Sequence, residues 1–284
     1  MYSLPDSGAV LGLDVGWSTK RLSTAICLFS WNLEIVDWRI MRCTAEEGQI
    51  VDLLQSLAMD HEILAVAIDG PLAPGLRHVS VYRSCEALLS RGLMQKRCKP
   101  GQTSSPTGQK LHRYATNAAR LVQRHVRLQR GVCTPPYCVP AIVEAFPNAY
   151  LAALLRSSSF VPRKGKRNAS DIYWDRLVDE GDRLDKHAQR LSRRRLAMPL
   201  NSITNHDDRA AFVCGLAALA ALRGDYVAVG DERHGHIVLP PQTEWAVDDD
   251  GTRWMAESLR ANLATMDRDR DSRRDQPVAR VIGN

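Results

Sequence analysis

Acidic residues stand at the ends of several short apolar runs in this chain. Asp14 and Asp69 each close such a run, and Glu144 follows a third one. A buried strand that ends in a carboxylate places the charge at the rim of its sheet, where neighbouring strands can direct their oxygens to one point. Carboxylates gathered in this way repel each other unless a cation holds them. Oxygen ligands without Cys or His partners suit Mg²⁺ or Mn²⁺. The alternative for each acid taken singly is a cap or turn residue facing solvent.

A fourth carboxylate comes from a spacing argument. Asp207 shares one helical face with the small residues Ala211 and Cys214, and small residues allow a helix to lie close to a sheet. We therefore expect the first turn of this helix to deliver Asp207 to the strand ends, with Asp208 as a second candidate ligand. The competing interpretation is that both acids stabilise the helix N-terminus through its dipole.

The surrounding pattern predicts an α/β protein. Three apolar or alternating runs in residues 9–41 are typical of an antiparallel meander, and a strand at 64–69 follows a helix at 45–59. Further along the chain the pattern predicts a strand at 141–146, a helix at 207–222, a hairpin-like pair at 226–239 and a helix at 254–265. A charged end that begins at Asp267 has the composition of a disordered segment.

Composition narrows the class of protein. The 284 residues are 44% hydrophobic and 25% charged, which is ordinary for a soluble globular chain. No apolar run approaches the roughly 20 residues of a membrane helix, and the N-terminus lacks the features of a secretory signal. Seven cysteines without a Cys-x-x-Cys pair favour reduced, buried thiols over a disulfide framework or a zinc site. We expect a cytoplasmic protein without membrane contact.

Basic residues are concentrated in two regions. Between Glu86 and Glu144 there are ten Lys or Arg residues and no acid, and residues 156–195 contain twelve basic and six acidic residues within a net charge of +6. This segregation predicts a surface that faces a polyanion, most commonly nucleic acid, although a solvated basic face would give the same pattern. The predicted nucleic-acid contacts are Arg113, Arg120, Arg124, Arg127, Lys164 and Lys166.

Six short blocks, in order along residues 9–241, resemble one family. They are Gly12-Leu-Asp-Val-Gly-Trp, Ala67-Ile-Asp-Gly-Pro-Leu, Arg83-Ser-Cys-Glu, Val143-Glu-Ala-Phe-Pro-Asn-Ala, His206-Asp-Asp-Arg-Ala-Ala and Gly235-His-Ile-Val-Leu-Pro. Together they are similar to the domain of unknown function 429 (DUF429) family, regarded as predicted nucleases with a ribonuclease H-like fold.

The resemblance implies roles for particular residues. It implies that Asp14, Asp69 and Asp207 take the metal-ligand positions of the ribonuclease H-like superfamily, and that Glu144 is the family's own acidic residue on the fifth strand. Relatives often carry a later Asp at the place of Ala210. That departure leaves the fourth ligand open.

These observations give a definite expectation for the fold. We expect a ribonuclease H-like mixed five-stranded sheet flanked by helices over residues 1–241, with insertions at about 71–108 and 156–200. The basic helical insertion is the second of these. Residues 242–284 are expected to form a C-terminal helix and a disordered charged tail.

For function, the same observations predict a nuclease that hydrolyses phosphodiester bonds with two divalent ions. Asp14, Asp69, Glu144 and Asp207 are the expected catalytic residues, and the expected ligands of Mg²⁺ or Mn²⁺ are Asp14, Asp69, Asp207 and Asp208. One alternative is a non-catalytic module that binds nucleic acid or protein. A second is an actin-like phosphotransferase, because Gly12-x-Asp14-x-Gly16-x-Ser18-Thr19-Lys20 resembles a phosphate loop; the chain has no Gly-Gly pair for the second loop that such enzymes need.

Overall fold

One mixed sheet with helices on both faces organises the protein. The computed structural model describes residues 2–75, 82–98, 100–126, 128, 135, 141–160, 167–179, 182–271 and 280–283. The strands are β1 (Gly8–Asp14), β2 (Thr24–Trp31), β3 (Ile35–Cys43), β4 (Ile63–Asp69), β5 (Ala141–Ala145), β6 (Arg195–Leu196), β7 (Val227–Asp231), β8 (Gly235–Leu239) and β9 (Arg280–Gly283). The helices are α1 (Glu47–Asp60), α2 (Ser84–Leu89), α3 (Gly92–Arg97), α4 (Pro106–His125), α5 (Pro147–Ala153), α6 (Ala169–Asp179), α7 (Arg183–Ser192), α8 (His206–Arg223) and α9 (Trp254–Asp271).

The sheet is larger than the sequence predicted. Its order among the described residues is β6-β3-β2-β1-β4-β5-β8-β7-β9, so the expectation of five strands is wrong. The predicted meander β1-β2-β3 is present, and β4 and β5 add to β1 in parallel. The hairpin of β7 and β8 does not stand apart, because β8 pairs with β5 in parallel and so extends the sheet. Two short edge strands, β6 and β9, complete it.

Alternation along β1 divides the interior into two cores. Val10 packs in a core with α8, whereas Leu11 and Leu13 pack with α1 and α4 on the other face. Successive side chains of a strand point to opposite faces, so residues 10, 12 and 14 of β1 belong to the α8 side. By the same rule Asp69, two residues after the α8-side Ala67, also starts on that side.

Helix α8 lies unusually close to β1. A Cβ atom added to Gly12 would stand 2.1 Å from the carbonyl oxygen of Ala211 and 2.1 Å from the amide nitrogen of Gly215. Only glycine permits such an approach of two backbones. The small-residue face that the sequence assigned to this helix therefore does pack against the sheet, and it fixes the height of the first turn of α8 above β1.

The remaining sequence expectations have mixed outcomes. The five cysteines for which the structure gives a state are free and buried, as predicted. The last helix was expected to end at Thr265 but continues to Asp271, and residues 280–283 form β9 within the segment expected to be disordered. Residues 272–279 lie outside the described part of the chain. In the described ranges, no helix combines the length and the apolar character needed to cross a membrane.

Candidate functional site

Four side chains form a row across the carboxyl end of β1 and its neighbours. In the pairing registers, Asp69 of β4 is opposite Asp14 of β1, Asp14 is opposite Ala25 of β2, and Ala25 is opposite Arg42 of β3. We call this set the strand-end row. Adjacent strands are about 4.8 Å apart, so the two aspartates are immediate neighbours. Ala25 is small, and Arg42 can therefore extend across it toward the carboxylates.

The first turn of α8 covers this row. Asn205 caps the helix, and its side chain accepts a hydrogen bond from the amide of Asp207 at 2.9 Å. Asp207 then accepts a hydrogen bond from Nη2 of Arg42 at 2.7 Å, and Asp208 lies 3.4 Å from Nε of the same guanidinium. We call Asp14, Asp69, Asp207 and Asp208 the carboxylate cluster.

Charge in the cluster is only partly balanced. Burial raises the pKa of Asp14 well above its usual range, and the neighbouring charges of Asp69 and Asp207 raise it further, against a smaller opposing effect of Arg42. Burial, followed by repulsion from Glu144, raises the pKa of Asp69 to about 7. Burial also raises the pKa of Asp208, although Arg42 opposes the shift. Each shift has the sign expected for carboxyl groups that lack enough positive charge.

Glu144 has a different environment from these four residues. It follows Val143, which packs on the α8 side, so its side chain starts on the opposite face. There it accepts hydrogen bonds from Nη2 of Arg83 at 2.6 Å and Nη1 of Arg83 at 3.0 Å, and from the amide of Leu72 at 2.9 Å. Arg83 also donates from Nε to Glu86 at 2.9 Å. We call Arg83, Glu86 and Glu144 the Arg83 cluster.

The expected gathering of four acids is therefore found only in part. Asp14 is opposite Asp69 in the sheet and interacts electrostatically with Asp207 and Asp208. Glu144 interacts electrostatically with Asp69 but is directed into its own ion pair. Its carboxylate oxygens already have three donors, which leaves them poorly placed to bind a metal ion.

The carboxylate cluster has the donor chemistry that a hard divalent cation prefers. All four groups are carboxylates, and Oδ1 of Asp208 is buried without a hydrogen-bond partner in the described structure. Within the ranges that the structure covers, however, no group of three or more His, Cys, Asp or Glu side chains is arranged to hold a metal ion as it stands. The guanidinium of Arg42 lies among the oxygens instead. The donor set fits such an ion once the guanidinium of Arg42 has moved away from Asp207 and Asp208.

Three of the predicted nucleic-acid contacts lie on α4, which packs on the face of the sheet opposite α8, and we call them the basic stripe. Arg113, Arg120 and Arg124 are exposed there. The sequence has no acid near Arg120 along the chain, but the folded protein supplies one. Nη2 of Arg120 is 3.0 Å from Glu47 on α1. Arg127, Lys164 and Lys166 lie outside the described residues.

The nearer end of α4 does approach the candidate site. His112 contacts the carbonyl oxygen of Pro71, two residues after Asp69, at 2.8 Å. Lys110 lies 5.3 Å from the ring centroid of Trp17, an exposed residue in the loop that follows Asp14. Lys110 and Arg124 are about 20 Å apart along α4. The basic stripe therefore leads away from the carboxylate cluster.

Two important residues were not identified from the sequence. Arg42 lies one residue beyond the run that predicted β3, and its partner Asp207 is 165 positions away in the chain. Arg83 was noted only as part of a motif, although Arg83-Ser-Cys-Glu places an arginine and a glutamate three residues apart. That spacing, in a helix N-terminus, was the available signal for a local ion pair.

Comparison with known proteins adds no relative. The chain matches no family model, no curated protein and no solved structure. The resemblance to the DUF429 family and the roles it implies therefore stay predictions.

Proposed function

We propose that this protein is a metal-dependent phosphodiester hydrolase, a nuclease, built on a ribonuclease H-like sheet. The observation that carries the proposal is the carboxylate cluster: Asp14 and Asp69 are side by side at the carboxyl ends of parallel strands, beneath Asp207 and Asp208. The order β3-β2-β1-β4-β5 within the sheet, with its antiparallel meander and two added parallel strands, supports the fold assignment.

The cluster is better suited to chemistry than to stability. Buried carboxylates with raised pKa values destabilise a fold, and such groups are concentrated at functional sites. Asp14, Asp69, Asp207 and Asp208 would hold the cation. When bound, Mg²⁺ or Mn²⁺ supplies a Lewis acid for the phosphoryl group and an activated water.

The chain's own residues would orient the substrate around that ion. Asp207 and Asp208 are 28% and 22% exposed, so the cluster is accessible from solvent on the α8 side. Lys110 and Trp17 lie at the same end of the sheet and offer a positive charge for a phosphate and an aromatic face for a base. Arg113 and Arg124 extend this positive surface along α4.

A non-catalytic nucleic-acid module is the second candidate. The observation in its favour is the contact of Arg42 with Asp207 and Asp208, which gives the cluster a counter-charge from within the protein. In this case the sheet would serve as a scaffold, and binding would depend on the basic surface alone.

Cleavage of a substrate panel distinguishes these two functions. Single-stranded, duplex, hybrid and branched RNA and DNA should be incubated with Mn²⁺ or Mg²⁺ at pH 8, where Asp69 is ionised. We expect cleavage of at least one class by the wild type, and a loss of at least 100-fold in Asp14→Asn, since the nuclease depends on the charge of this ligand.

Binding must be measured alongside cleavage. In Ca²⁺, Asp14→Asn should bind the cleaved substrate within about threefold of wild type, because its phosphate contacts come from Lys and Arg. Asp52→Asn, an exposed acid on α1, is the control for a simple change of net charge. If the protein binds nucleic acid but cleaves no substrate, the nuclease proposal is wrong and the binding-module proposal takes its place.

A further inference from the structure

Arg42 connects two parts of the candidate site. Its Nη2 donates to Oδ2 of Asp207 at 2.7 Å and to the carbonyl oxygen of Leu22 at 2.6 Å. Leu22 belongs to the loop 15–23, which joins Asp14 at the end of β1 to β2. One guanidinium therefore ties this loop to the first turn of α8.

The contacts of Arg42 are incomplete. Its Nε atom is buried and has no hydrogen-bond partner in the part of the chain that the structure describes, and the same holds for Oδ1 of Asp208. These two atoms are 3.4 Å apart, within ion-pair distance but not aligned for a hydrogen bond. A well-formed arginine–carboxylate pair is bidentate and leaves no such orphan atoms. The Arg83 cluster of the same protein has that geometry.

The side chain of Arg42 also lies where it can move away from the aspartates into solvent. Its side chain is 30% exposed, and Ala25 beside it in the strand-end row presents only a methyl group. A guanidinium can move to solvent from this position without opening the core. A Lys or Arg with an apolar stem commonly has its charged head in water.

We propose that Arg42 is an exchangeable counter-ion, which a divalent cation displaces from Asp207 and Asp208, and that its displacement removes the link between the loop 15–23 and α8. This inference rests on the proposed function, since it assigns the cation to the carboxylate cluster. Arg42 is thus a positioning residue: it holds the cluster together when no divalent ion is present and links ion binding to the loop that presents Trp17.

Calorimetric titration with Mn²⁺ at pH 8 tests the exchange. Arg42→Gln should bind Mn²⁺ at least fivefold more tightly than wild type, because the competing charge is gone. Arg42→Lys keeps the charge and should stay within twofold of wild type. Arg39→Gln is the matched control, because it removes the same charge from β3 but on the opposite face, and it should also stay within twofold.

A second measurement uses the wild-type protein and so does not depend on the folding of a variant. Titration with Mg²⁺, followed by ¹⁵N NMR of the arginine Nε–H groups, should shift the Arg42 signal and leave that of Arg83 unchanged. Trp17 fluorescence, identified by comparison with Trp17→Phe, should change over the same range of Mg²⁺ concentration.

The outcomes separate this inference from the proposed function. Equal Mn²⁺ affinity in wild type and Arg42→Gln, or an Arg42 signal that does not respond to Mg²⁺, overturns the exchange while leaving a nuclease in place. Tighter binding by Arg42→Gln without cleavage of any substrate supports the exchange and rejects the nuclease. If neither protein binds Mn²⁺, both proposals are wrong.

Discussion

The carboxylate cluster and the Arg83 cluster lie at the same end of the sheet, but they differ in how far positive charge balances their carboxylates. In the Arg83 cluster, two glutamates share one arginine that is 1% exposed, and each glutamate has further donors from the backbone. In the carboxylate cluster, one arginine that is 30% exposed pairs with Asp207 and Asp208 and acts on Asp14 only at longer range. Balanced charge of the first kind holds elements together. Unbalanced charge of the second kind is suited to taking up a cation or a proton.

The largest expected effect comes from removing Arg83, whose charge balances both glutamates of the Arg83 cluster. Arg83→Met should lower the free energy of unfolding by about 3–5 kcal/mol, because Glu144 and Glu86 then stay buried without a partner. Urea denaturation measures this. Arg42→Met should cost only about 1 kcal/mol, since its aspartates can be reached by water and can bind protons. Similar losses in the two variants would remove the distinction between the clusters.

An intermediate effect is expected from pH. The pKa of Asp69 is raised to about 7, above the value of an unfolded chain, so the folded protein holds a proton between about pH 4 and 7 that the unfolded chain has released. Without divalent ions, stability should therefore fall as the pH rises from 5 to 7. Asp69→Asn removes this cost and should raise the Tm at pH 8, with a flatter pH profile.

The control for this experiment is Asp52→Asn, an exposed acid on α1 that should leave the profile unchanged. Mn²⁺ should raise the Tm of wild type at pH 8 and leave that of Asp69→Asn nearly unchanged, because the variant lacks a ligand. A wild-type profile that is flat between pH 5 and 7 would contradict the raised pKa.

The smallest effect concerns the exposed pair of Arg120 and Glu47, which shows what an ion pair contributes in water. Both side chains are about half exposed, so Glu47→Gln should change the free energy of unfolding by less than about 1 kcal/mol. If α4 binds nucleic acid, the same change frees Arg120 and should steepen the salt dependence of binding by about one unit. Filter binding at several salt concentrations measures the slope, and an unchanged or flatter slope would exclude Arg120 as a phosphate contact.

Local patterns in the sequence predicted the positions of three aspartates within their strands and helix. Asp14 and Asp69 follow from apolar runs that end in a carboxylate, and Asp207 follows from a helix with one face of small residues. Each of these signals lies within a few residues of the position it identifies. The parallel neighbours β1 and β4 then bring the carboxylates together.

Features that depend on distant pairing were missed. The joining of nine strands into one sheet among the described residues depends on β8 pairing with β5, which no local pattern encodes. The ion pair of Glu144 with Arg83 was not predicted, because β5 is buried on both faces, and a strand of that kind shows no alternation from which to read the direction of its side chains. Arg42 gains its importance only from Asp207, which is far away in the sequence.

The contact of Gly12 with Ala211 and Gly215 also has a consequence for synthesis of the chain. Strands β1 and β4 can pair once both have emerged from the ribosome, which brings Asp14 beside Asp69. Asp207 reaches them only when α8 docks on Gly12. About two hundred residues are translated between the first and the last part of the cluster. For the roughly 140 residues translated between Asp69 and Asp207, the growing chain therefore carries two aspartates without the helix that completes the cluster.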